Sequence, residues 1–227
     1  MGHRPFPPAM SLDLALEVTE FTLDALEDHP STELQALATP LVALLEEGEV
    51  LFLKQRKARR TVVRANARVR GADAFADDEF RELNRAVLAA VSGDRKHPFF
   101  EAVYAGLAPG EIEAMSLVPE LDELERIAGV LSSDLAPPSL AADWLPRIDA
   151  IIRRGRNTLE ARKNAMLALT DINEQARRWI ERTDRRRLAI QGQLKSIAAE
   201  RGYSRAFEDR FFPEPTGKRS TDRLDHD

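Results

Sequence analysis

Apolar residues recur along most of this chain at the spacing of a helix face, three and four residues apart, and no stretch alternates as a half-buried strand would. Residues 40–71 show it best. Their inward positions fall in heptads: Leu41, Leu44, Gly48, Leu51, Gln55, Ala58, Val62, Ala65 and Val69, with Leu45, Phe52 and Asn66 beside them. Adding 107 to each gives Ile148, Ile151, Gly155, Thr158, Arg162, Ala165, Leu169, Ile172 and Ala176, flanked by Ile152, Leu159 and Asn173. The register holds without a gap from 37 to 106, and eight of those 70 positions are identical: Ala43, Gly48, Ala58, Asn66, Arg70, Asp77, Phe100 and Glu101. A further helix is expected before each copy, at 11–27 and at about 119–131.

An aromatic pair closes each copy, Phe100 with Tyr104 and Phe207 with Phe211. At i, i+4 such a pair faces one way and is suited to close a core; docking of a partner peptide is the alternative. The pattern therefore predicts an all-α chain, an elongated antiparallel helical bundle of two diverged tandem repeats. Repeat 1 spans 11–108 and repeat 2 spans 109–212, packed as one bundle, with disordered tails at 1–10 and 213–227.

Within the first copy, Gly71 followed by Asp77, Asp78 and Glu79 predicts a helix end and a new helix start. The second copy has no Gly or Pro there. Thr183 or Asp184 can cap a hairpin, which is the expected arrangement, while one continuous helix over 146–200 is the alternative.

Composition narrows the classes. With 43% hydrophobic and 31% charged residues the chain has an ordinary globular balance, and the absence of cysteine removes disulfides, thiolate metal sites and thiol nucleophiles. No apolar run reaches the roughly 20 residues of a membrane span, and the first ten residues lack a leader's apolar stretch; a cytoplasmic location is expected.

Charge changes the picture more. The net charge of −5 is segregated: residues 1–50 carry −9, 51–71 carry +8 with no acid, 72–146 carry −10 and 147–227 carry +6. Arg56, Arg60, Arg64 and Arg68 follow one another at i+4, with Lys57 and Arg59 alongside. Like charges so spaced disfavour a helix, so something negative must offset them. Three sources fit: Glu17, Glu20, Asp24 and Glu27 or the acids at 77–82 of the same chain; an acidic protein or a second copy; or nucleic-acid phosphate. A second cluster holds Arg177, Arg178, Arg182, Arg185, Arg186 and Arg187, with Trp179 among them to stack a base or to fill the core.

Catalytic chemistry finds little support. No Glu-x-x-His pair, nucleotide-binding loop, G-x-S-x-G or dinucleotide fingerprint occurs, and the four histidines lie in the expected tails or directly before proline. No catalytic residue, metal or cofactor is therefore expected. The polar inward positions Gln55/Arg162 and Asn66/Asn173 read as register-setting groups. The expected function is that of a non-catalytic adaptor, scaffold or assembly protein acting through charge-segregated helix surfaces, self-association included. The alternative is sequence-independent nucleic-acid binding by the basic helix 54–70 and the 177–187 cluster.

Overall fold

The computed structural model describes residues 5–7, 9–204 and 207–213. Except for Pro213, the tail expected over 213–227 lies outside them, as do residues 1–4 and 8 of the N-terminal tail. The chain is all-helical, 81% helix with no strand among the described residues. No helix of these residues is long and apolar enough to cross a membrane.

Among the described residues seven α-helices follow in order: α1 Leu12–Glu27, α2 Thr32–Gln35, α3 Thr39–Ala90, α4 Pro98–Tyr104, α5 Pro109–Glu113, α6 Leu117–Leu131 and α7 Pro138–Arg201. A 3-10 turn, Glu208–Phe211, comes last. Local chemistry sets the ends. The Ser11 hydroxyl accepts the Leu14 N–H at 3.3 Å to start α1. α3 stops where Ser92 and Gly93 turn left-handed (φ 52 and 80), and the Gly93 N–H reaches back to the Leu88 carbonyl at 2.8 Å. Arg126 closes α4 by donating to the carbonyls of Ala102 and Val103 at 3.0 and 2.6 Å.

The break expected at 71–80 does not form: α3 runs 52 residues through it. A glycine inside a helix costs only about 1 kcal/mol. Ala72, Ala76, Phe80, Leu83 and Val87 keep the i+3/i+4 register past Gly71 and are all buried, and burying one Phe or Leu is worth roughly 1.5–3 kcal/mol. Burial wins. The expected hairpin in the second copy is likewise absent, because α7 is one helix of 64 residues with Pro146 inside it.

By contacts the chain forms two compact units, Met1–Ala58 with Leu169–Asp227, and Arg59–Ala168. In the second unit one core gathers Phe80, Phe99, Tyr104, Ile112, Leu124, Trp144 and Ile148 from α3, α4, α5, α6 and α7. Phe100 and Tyr104 lie in it with ring centroids 4.5 Å apart, and the Tyr104 hydroxyl donates to Asn84 Oδ1 at 2.6 Å. In the first unit α1 packs on the start of α3 and the end of α7. A Cβ on Gly48 would stand 2.4 Å from Trp179 Cζ2 and 2.6 Å from Leu16 Cδ2, so only glycine lets the three helices meet there. Trp179 is fully buried, and its indole N–H donates to the Leu44 carbonyl at 2.8 Å. Phe207 and Phe211 close the adjoining cluster with Leu26, Leu34 and Leu194. Both aromatic pairs are core.

Candidate functional site

The described residues concentrate charge in four places, and each arises from helical periodicity. On α3, Arg56 lies in the first unit and Arg60, Arg64 and Arg68 in the second; all four are exposed. Arg59 and Arg70 are exposed as well. None of these six arginines has an ion-pair partner among the described residues, while Lys57 is engaged. The acids at 77–82 serve others: Asp78 pairs with Arg81 at 2.6 Å, and Glu79 and Glu82 share Arg147 at 2.7 and 2.8 Å. The Arg147 hydrogen bond holds the Glu82 carboxyl below its usual range.

The opposite charge sits on α1. Asp13, Glu17, Glu20, Asp24 and Glu27 recur at i+3 and i+4 and form one exposed stripe, with Asp28 after it. They have no ion-pair partner among the described residues either. Phe21 stands beside this stripe, 47% exposed, a large apolar side chain amid carboxylates. The sequence offers these acids as internal partners of the arginine row, and the exposed stripe leaves both sets open.

The 177–187 cluster divides by helix face. Arg177 is exposed and pairs with Glu174 on its own helix at 2.8 Å, and Arg182 reaches Glu47 on α3 at 2.5 Å. Arg178, Arg182, Arg185 and Arg186 border two adjoining hollows, about 380 and 330 Å³, that share Arg182 and Arg185. Leu51 lines the first, and Leu44 with Pro40 the second.

Arg187 is not part of that surface. It is 1% exposed, lies 4.6 Å from the Phe6 ring and 5.2 Å from the Phe212 ring, and donates from Nε to Thr22 Oγ1 at 3.4 Å. Burial pulls its pKa down to about 10, which Asp184 opposes. It therefore cannot serve as the phosphate contact expected of it. Its burial was legible only in register, four residues after the buried Thr183 and eight after Trp179.

The fourth place was not foreseen. Glu120 on α6 has no exposed surface, and neither carboxylate oxygen has a hydrogen-bond partner. Its neighbours are Asp73, Asp77 and Arg81 of α3 and Glu113 of α5, and Asp73 Oδ1 is also buried without a partner. Arg81 is already engaged by Asp78 and by Glu113 at 3.3 Å. Burial, and then the charges of Asp77 and Asp73, push the Glu120 pKa up to about 8. Burial also raises Asp77, with Asp73 adding to it. The signal was available: Glu120 lies on the apolar face that carries Leu117, Leu121 and Leu124.

The polar positions read as inward are mostly not inward. Arg162, Asn66 and Asn173 are exposed, and Gln55 donates to Asn173 Oδ1 at 2.8 Å. Among the described residues, no three His, Asp or Glu side chains are gathered so as to hold a metal ion. Compared with known protein families, curated proteins and solved structures, the chain has no match in any of the three.

Proposed function

We propose that this chain is a non-catalytic assembly protein, an adaptor or scaffold, that recognises partners through charge-segregated helix faces and is itself one of those partners. One observation carries the reading. The acid stripe of α1 and the arginines of α3 are both exposed, and neither has an ion-pair partner among the described residues. A row of like charges is a standing cost to a helix, relieved only when an opposite charge arrives. Exposed pairs are individually weak, about 0.2–1 kcal/mol, so such association is salt-sensitive and needs several contacts. The reading of two tandem repeats has its own support: Gly48 and Gly155, one repeat apart, are both sites of close approach, the latter with a Cβ position 2.6 Å from Leu121 Cδ1.

Sedimentation velocity of the full chain at low and high salt tests this. Association that fades with salt, and that weakens when Arg60, Arg64 and Arg68 become Ala, is expected. Monomers at every salt and concentration, with no acidic protein bound, would refute it.

A second reading, sequence-independent nucleic-acid binding, is favoured by one feature: no acid occurs from 50 to 72, so the exposed arginines of α3 meet no local repulsion of phosphate. Fluorescence anisotropy with labelled single- and double-stranded nucleic acid decides it. Binding should weaken linearly in log salt and be lost in the same triple variant.

A further inference from the structure

Resting on that reading of charge-led assembly, we infer that the hollows bordered by Arg178, Arg182, Arg185 and Arg186 seat helix α1 of a second copy of this chain. In the first unit α1 packs on one side of the seam between α3 and α7, through Leu16, Gly48 and Trp179. On α7 the residues that face inward are Ala176, Trp179, Thr183, Arg187 and Ile190. At 100° per residue, positions 178, 182, 185 and 186 lie together on the other side of that seam. The two adjoining hollows open there. Leu44 and Leu51 provide apolar floor beneath the arginines. Such a groove lacks one helix.

Its charge states what that helix must carry. Arg178 and Arg186 have no partner among the described residues, and Arg185 donates only to a carbonyl of its own helix. Of the two acids in the groove, Glu47 is held by Arg182, and Glu181 stands alone against the remaining arginines. The occupant is thus an acidic helix with an apolar side chain for the floor. The exposed face of α1 meets both demands, with Glu17, Glu20, Asp24 and Glu27 in line and Phe21 at their edge. Lengths agree too. Arg178 to Arg186 spans about 12 Å at 1.5 Å per residue, and Glu20 to Glu27 about 10 Å. Because that face is already outward, α1 can dock without leaving its own core.

The two surfaces differ, so the contact is head-to-tail, and this gives a decisive test. In one variant Glu20 and Asp24 become Arg; in another Arg178 and Arg185 become Glu. All four side chains are exposed, and circular dichroism checks that each variant folds. Each variant alone should associate at least about tenfold more weakly than the parent. Mixed in equal amounts they should associate again, since one supplies an intact groove and the other an intact α1, and the two reversed faces are complementary as well. Parent-like association of either variant alone, or no association in the mixture, overturns the inference. Association lost only when Arg60, Arg64 and Arg68 become Ala would overturn it too, yet leave charge-led assembly standing. A parent that stays monomeric but binds a glutamate-rich peptide through Arg178 and Arg185 would overturn the second copy as occupant.

Discussion

Replacing Glu120 by Gln tests the electrostatics of the second unit most directly. The carboxyl faces Asp73, Asp77, Arg81 and Glu113, and its pKa of about 8 lies above the ordinary value of 4.5. A raised acid favours its proton in the folded state. The stability it contributes is therefore complete below pH 4.5, where the unfolded chain is protonated too, and is lost as pH rises towards 8. Each pH unit in that window costs about 1.4 kcal/mol, so about 3 kcal/mol is gone by pH 7 and about 5 at the plateau. Asp77, raised in the same sense, adds to the slope. Gln keeps the shape and stays neutral. The variant should match the parent near pH 4.5 and exceed it by roughly 3 kcal/mol at pH 7. Urea unfolding read by tryptophan fluorescence measures this, because Trp144 belongs to the core that holds Leu117 and Leu121. Replacing Trp179 by Phe leaves Trp144 as the sole reporter. Parallel pH profiles for the Glu120→Gln variant and the parent would refute the buried-charge reasoning.

Substitutions at three other positions probe packing by urea denaturation. Gly48→Ala forces a methyl group to within 2.4 Å of the Trp179 ring and should destabilise the first unit by about 1–3 kcal/mol. Gly71→Ala meets nothing within 4 Å and should stabilise by up to about 1 kcal/mol through helix propensity. Arg187→Met keeps the contacts with Phe6 and Phe212 and removes a buried charge, so it should be at least as stable as the parent, whereas Arg187→Ala, which leaves a cavity, should be less stable.

Periodicity carried the helical class and most inward positions of α3, from Leu41 to Val69, all of which are buried or half-buried. It failed where a local signal opposed a longer one. Gly71 and Asp77 read as an end and a start, but the apolar register through Phe80 outweighed them. A strict heptad also drifts from a straight helix by about 20° per repeat. Asn66, Arg162 and Asn173 are exposed where the surrounding buried positions are alanines, which anchor register weakly. The arginine clusters were legible as charge, though not as faces: one-dimensional counting placed Arg187 with its exposed neighbours, and only its spacing from Trp179 sets it apart. Phe21 gave no warning, because a lone aromatic on an amphipathic helix normally points inward.

The first compact unit is built from the two ends of the chain, with all 110 residues of Arg59–Ala168 between them. During synthesis at 5–20 residues per second, α1 therefore emerges on the order of ten seconds before the segment of α7 it packs against. Over that interval Leu12, Ala15, Val18 and Leu26, all buried in the finished protein, lack the α7 side of their core, Ala176, Trp179, Ile190 and Leu194. The second unit, contiguous in sequence, can complete its core on the ribosome. The nascent chain thus carries an amphipathic helix whose apolar face is left uncovered, which gives chaperones a defined window and makes truncation before residue 169 a route to aggregation rather than to a smaller working protein.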